Sequence, residues 1–124
     1  RNNMKKILLV EDDPFLIDIY TTKLKEAGFA VEVISDGKEC LEKARETMPD
    51  LLVLDIVLPG VDGWEILREI RQDEKLKGLK VVIISNLSQK SEVQKGIELG
   101  AVKYMIKAHY TPGEIAAEIK KILK

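Results

Sequence analysis

Leu51-Leu52-Val53-Leu54-Asp55 sets four apolar side chains in a row before one carboxylate and leads into Ile56-Val57-Leu58-Pro59-Gly60. Four consecutive apolar residues without alternation suit a strand covered on both faces, as in the middle of a parallel sheet, with Asp50 and Asp55 marking its two ends. The carboxyl end of such a strand is where open α/β sheets place their ligands. Asp55 is therefore a candidate functional residue, although a terminal aspartate also serves as an ordinary loop or cap residue.

Upstream, residues 6–10 (KILLV) form a first strand that empties into Glu11-Asp12-Asp13. Three successive carboxylates repel one another, a cost that a cation would remove. The same residues also read as a helix start, with Asp12 or Asp13 as cap, Pro14 at the first helical position and negative charge at the favourable terminus. The spacing predicts a helix over 14–27, with Leu16, Ile19, Tyr20, Lys23, Leu24 and Ala27 on one face and Gly28 as its stop. A second strand over 29–34 carries Glu32 and so sits near a sheet edge. After the turn Ser35-Asp36-Gly37, a helix buries Cys40, Leu41 and Ala44 and ends at Met48-Pro49. Cys40 reads as a small buried apolar residue, having no base or second cysteine beside it.

Downstream, residues 56–63 read as a loop, followed by a helix over 64–71 with Trp64, Leu67, Ile70 and Arg71 at spacings of three and four. A fourth strand over 80–84 (KVVII) ends at Ser85, and a helix over 88–99 turns Val93, Gly96 and Ile97 inward and stops at Gly100. A fifth strand over 101–106 ends at Lys107. Thr111-Pro112-Gly113-Glu114 is a capping box opening a helix that buries Ile115, Ile119, Ile122 and Leu123. Five rounds of strand then helix imply a single α/β domain with a parallel sheet clothed on both faces.

The 124 residues fit one domain able to fold without disulfides or structural metal. Twenty basic against twenty-one acidic residues argue against broad electrostatic binding of nucleic acid or anionic membrane. No apolar run approaches a membrane span and no secretory leader is visible, so a cytoplasmic location is expected. Cys40 is the only cysteine, which excludes an internal disulfide or thiolate cluster and fits a reducing compartment. Residues 1–4, Arg1-Asn2-Asn3-Met4, read as a remnant, a cut end or a disordered start, leaving 5–124 as the domain.

In a parallel sheet the residues just past each strand share one rim. Here that rim collects Glu11, Asp12 and Asp13, then Asp55, then Ser85-Asn86, then Lys107. Paired carboxylates without cysteine or histidine make an oxygen-rich site suited to Mg2+. A lysine and a serine beside the ion could receive a phosphoryl group's oxygens while one carboxylate attacks phosphorus.

This pattern resembles the bacterial response-regulator receiver domain over residues 5–123. Asp12-Asp13 resembles that family's metal-binding acidic pair, and Asp55 in LLVLDIVLPGVDG resembles its phosphorylated aspartate in D-x-x-x-P-x-x-D-G, with Pro59 and Asp62-Gly63 in register. Ser85 resembles the switch hydroxyl, Tyr104 the aromatic that changes rotamer with it, and Lys107 the family's lysine. The resemblance implies a doubly wound, flavodoxin-like sheet of order 2-1-3-4-5. It further implies Mg2+, or Mn2+ in its place, held by Asp12, Asp13, Asp55 and the Val57 carbonyl, with Asp12 acting mainly through water. Catalysis would be of the domain's own aspartyl phosphorylation and dephosphorylation, in a protein that is primarily a signalling one.

The implied partners are a sensor histidine kinase or histidine phosphotransfer protein as donor, since His109 is the only histidine and reads as a surface loop residue. A downstream protein effector or fused output domain, and a second copy of the chain, are the other implied partners. No direct nucleic-acid or membrane contact by this domain is implied. Two readings compete with this one: a degenerate receiver that docks a partner without phosphotransfer, and a small Mg2+-dependent phosphatase. The family usually has proline after its lysine, where this chain has Ala108. A cis bond without proline costs ~2.5–4 kcal/mol, so either the site holds the bond cis at that expense or the loop takes a trans path. Val57, Asn86 and Leu87 line the mouth of the expected site and should alter the lifetime of the phosphorylated state, towards a longer one.

Overall fold

The computed structural model describes residues 4–124. Of the proposed start, residues 1–3 lie outside the described residues and Met4 is exposed. The five expected strands are β1 (Lys6–Val10), β2 (Ala30–Ile34), β3 (Leu51–Asp55), β4 (Val81–Ser85) and β5 (Lys103–Ile106). All pair in parallel in the spatial order 2-1-3-4-5, with β3 between β1 and β4. Five helices connect and follow them: α1 (Pro14–Glu26), α2 (Cys40–Thr47), α3 (Gly63–Gln72), α4 (Lys90–Glu98) and α5 (Pro112–Ile122).

Alternation along the strands splits the interior into two cores. Leu8, Val10, Leu52, Leu54, Val81 and Ile83 face α2, α3 and α4, whereas Ile7, Leu9, Leu51, Val53, Val82, Ile84 and Met105 face α1 and α5. Every residue of β3 and β4 is buried, as unbroken apolar runs in a sheet covered on both sides require. Burying a leucine, isoleucine or valine is worth roughly 1.5–3 kcal/mol, so these two strands contribute heavily to the stability of the domain. β2 lies at the edge with Glu32 exposed, as its sequence implies.

The helix ends follow the sequence chemistry. Asp13 caps α1 by accepting from the Phe15 and Leu16 amides, with Pro14 at the first position, and Gly28 (φ +100°) turns the chain out of it. At α5 the capping box forms in full between Thr111 and Glu114. Cys40 is completely buried, and desolvation pushes its thiol up to about 12, in keeping with an apolar role.

Several details differ from the sequence reading. Residues 56–63 contain a short hairpin pairing Val57 with Asp62 and Leu58 with Val61, an antiparallel contact too short to leave a period of its own. α4 begins at Lys90 without a side-chain cap. Its Ile97 is exposed rather than inward: Val93 and Gly96 take the sheet side of this short helix, and the next position is carried round to solvent. Lys23 is exposed and pairs with Glu26. Ile66 and Leu76, not singled out from the sequence, are buried in the α2–α4 core. Among the described residues no helix is long and apolar enough to cross a membrane.

Candidate functional site

The carboxyl ends of β1, β3, β4 and β5 bring the anticipated residues to one rim. An open cleft of about 310 Å³ is lined by Glu11, Asp12, Asp13, Asp55, Val57, Asn86, Leu87 and Lys107. Residue parity explains the grouping. Positions 7 and 9 of β1, 51 and 53 of β3, and 105 of β5 face α1 and α5; the same parity gives Asp55 as the last residue of β3, and Glu11 and Lys107 one residue beyond β1 and β5. Ser85 follows Val81 and Ile83, which face the other core together with Tyr104.

Asp55 is only 3% exposed and both its oxygens are held. Oδ1 accepts the Val57 amide at 3.1 Å and Oδ2 accepts Lys107 Nζ at 2.8 Å. Burial pushes its carboxyl up to about 6; the Glu11 carboxylate adds to that rise, while the hydrogen bonds from Lys107 and Val57 oppose it. Lys107, whose own burial would lower it, is held above its ordinary value by Asp55 and Glu11. Its ammonium lies 2.8 Å from an oxygen of each.

Glu11 is the residue sequence reasoning undervalued. It is 1% exposed, and its Oε2 folds back to accept the Asp12 and Asp13 amides at 3.1 and 3.2 Å. Oε1 faces Lys107 as an ion pair outside hydrogen-bond alignment. Ligand oxygens of Glu11, Asp12 and Asp55 lie within 4.8 Å of one another. Asp13, expected as a metal ligand beside Asp12, instead spends Oδ1 on capping α1, although it still lines the cleft. The acidic pair nearest Asp55 is thus Glu11-Asp12, one position earlier than the sequence reading placed it.

Three carboxylates face one ammonium, so the cluster keeps net negative charge in a partly buried place. All its donors are oxygens, with one buried Glu11 oxygen lacking a hydrogen bond. That donor set fits a small hard divalent cation of the Mg2+ kind.

On the other side, Ser85 is fully buried and its Oγ accepts the Leu87 amide at 3.0 Å. Tyr104, on the edge strand β5, is packed inward, 9% exposed, and its hydroxyl donates to the Leu87 carbonyl at 2.7 Å. The backbone of Leu87 therefore joins Ser85 to Tyr104. Val57 and Asn86 are exposed at the mouth and Leu87 is half-buried. Asp62 caps α3 by accepting the Trp64 amide at 2.9 Å, and Gly63 packs on the Ile56 carbonyl so closely that no Cβ fits. The Pro59 to Gly63 stretch thus fixes the turn that leaves Asp55. No cis peptide occurs among the described residues, so the chain passes Lys107-Ala108 in trans and enters a short 3-10 turn, Lys107–His109.

Comparison with known proteins agrees with this geometry. Residues 7–120 match the response regulator receiver domain family. The chain is 36% identical over 120 residues to the alkaline phosphatase synthesis transcriptional regulatory protein PhoP of Bacillus subtilis (strain 168), covering 97% of this chain and 49% of that protein. It is 37% identical over 122 residues to the transcriptional regulatory protein BaeR of Escherichia coli O6:H1, covering 98% of this chain and 49% of BaeR. The chain therefore spans about half the length of these curated relatives. Among solved structures, the BeF3-activated receiver domain of Thermotoga maritima DrrB superposes with a TM-score of 0.84 at 32% identity, covering 97% of each chain.

Proposed function

The chain belongs to the response regulator receiver domain family, and we propose on that footing that Asp55 takes a phosphoryl group from a partner phosphohistidine and so switches a protein-interaction face. The observation that carries this reading is Asp55 itself: a buried carboxylate at the floor of an acidic cleft, held by the one ammonium that a phosphoryl group would also attract. A carboxylate oxygen of Asp55 attacks phosphorus, and the P–N bond breaks with its electron pair passing to the imidazole nitrogen of the donor. The product is an acyl phosphate, which hydrolysis at the same site resets.

Lys107 exchanges its Asp55 contact for phosphoryl oxygens, and Ser85 turns from the Leu87 amide to hydrogen-bond one of them. Asp12 and Asp55, with Glu11 behind them and the Val57 carbonyl beside them, would hold Mg2+ or Mn2+. When bound, the cation neutralises charge on the phosphoryl oxygens. Val57, Asn86 and Leu87 restrict the approach of the hydrolytic water and lengthen the life of the acyl phosphate. Tyr104 carries the change along the face of β4 and β5, as a shift between two arrangements of similar energy.

The donor is a sensor histidine kinase or histidine phosphotransfer protein. PhoP and BaeR are transcriptional regulatory proteins by name. By that likeness the output of this domain passes to a fused output domain or a protein effector, with self-association as one mode of readout. Incubation with acetyl phosphate and Mg2+, read by intact mass, should add one phosphoryl group to the unmodified protein and none to Asp55→Asn; no addition to the unmodified protein overturns the reading.

A further inference from the structure

Tyr104 lies inward because α4 has a gap where its ring sits. A Cβ built on Gly96 would come 2.9 Å from Cδ2 of Tyr104 and 2.8 Å from Cδ1 of Ile83, closer than real side chains approach. Ile83 is completely buried and Gly96 is near the C-terminal end of α4 rather than at a turn, so the chain places a helix-weakening residue where backbone geometry does not call for one. What the missing methyl provides is room for the ring. With the ring seated, the Tyr104 hydroxyl reaches the Leu87 carbonyl at 2.7 Å while the Leu87 amide bonds Ser85 Oγ at 3.0 Å. The segment between β4 and α4 is thereby fixed from both sides, with Asn86 and Leu87 set at the cleft.

We propose that Gly96 is a positioning residue: by leaving space in α4 for the inward Tyr104 ring, it fixes the β4–α4 segment and keeps the Asp55 cleft assembled for phosphoryl transfer. The proposal rests on the reading of Asp55 as phosphoacceptor. A methyl at position 96 displaces the ring, breaks the bond to Leu87 and frees the segment that carries Asn86 and Leu87, at a cost to the alignment that in-line transfer demands. Alanine is the better helix former, so Gly96→Ala retains the fold, and Gly96→Ser supplies a second variant of small added volume.

The experiment pairs two readouts. In NMR spectra, ring contacts of Tyr104 with the Ile83 Cδ1 methyl should be present in the unmodified protein and lost in Gly96→Ala and Gly96→Ser. The initial rate of phosphorylation by acetyl phosphate with Mg2+ should fall several-fold in Gly96→Ala, by about as much as in Tyr104→Ala. The double variant Gly96→Ala/Tyr104→Ala should be no slower than Tyr104→Ala alone, because the two changes remove the same contact. Retention of the ring contacts in Gly96→Ala, or a rate loss that persists in full on the Tyr104→Ala background, overturns the proposal. If the unmodified protein takes up no phosphoryl group, the reading of Asp55 fails, and the ring contacts alone then decide whether Gly96 seats Tyr104.

Discussion

Asp55 carries its charge where the fold penalises it, and that penalty is measurable. Its carboxyl is raised from 3.8 to about 6, first by desolvation, so between those values the folded chain holds a proton that the unfolded chain has released. Stability from this group is present at low pH and is lost as pH rises through that window. Asp55→Asn has no such loss. Without divalent cation, urea unfolding should find the variant more stable by about 1–3 kcal/mol at pH 7 and indistinguishable near pH 3.5. The acidic run gives a second test, because Asp13 caps α1 while Asp12 faces Glu11 and Asp55. Asp13→Ala should cost about 1 kcal/mol of stability with little change in Mg2+ affinity. Asp12→Asn should weaken Mg2+ by at least the ~10-fold that even an outer partner of a metal ligand costs, read by calorimetric titration. Asp55, Ser85 and Lys107 were legible because the first two end a strand and the third follows one directly, and strand ends are visible as breaks in apolar runs. The two-residue period of β1 carries Glu11 inward, but Asp12 and Asp13 lie beyond the strand, where no period separates the one that faces Asp55 from the one that caps α1. The available signal was Pro14, which puts Asp13 at the capping position.

At the scale of elements, the strands and most helices follow from local pattern, while the segments that fasten them do not. Arg71 was read as part of the α3 face, yet its guanidinium donates to the carbonyls of Lys77, Leu79, Leu99 and Gly100 at 2.7 to 3.1 Å. It ties the end of α3 to the turn after it and to the end of α4, a bond set between residues distant in sequence. Arg71→Met keeps much of the stem and removes the donors. It should lower stability by about 1–3 kcal/mol and speed hydrogen exchange at the amides of residues 99–101 more than in β3. The hairpin at 57–62 and the buried Leu76 were illegible for the same reason: their partners are chosen by tertiary packing. α4, like α2, starts without a side-chain cap. Its short inward face, Val93 and Gly96 without Ile97, is what a helix needs if Tyr104 is to pack beneath it.

Over the whole molecule, two apolar cores share one sheet, and the reactive rim sits where both meet solvent at the strand ends. The fold was legible because unbroken apolar strands alternate with helical periods five times, which leaves few topologies. Its strand order came from family likeness, since spacing alone does not order parallel strands. A cation bound only by the folded rim should stabilise the entire domain by mass action, about 2.7 kcal/mol at a hundred times its dissociation constant. The thermal midpoint should therefore rise with Mg2+ in the unmodified protein, and at the same Mg2+ concentration by clearly less in Asp12→Asn. The most direct test of the central claim is chemical. After incubation with acetyl phosphate and Mg2+, borohydride reduces an acyl phosphate to an alcohol, so peptide mass spectrometry should find residue 55 converted to homoserine and no other carboxylate changed. Conversion at Asp12 or Asp13, or a stable phosphoryl group on Ser85 with Asp55 intact, would contradict it.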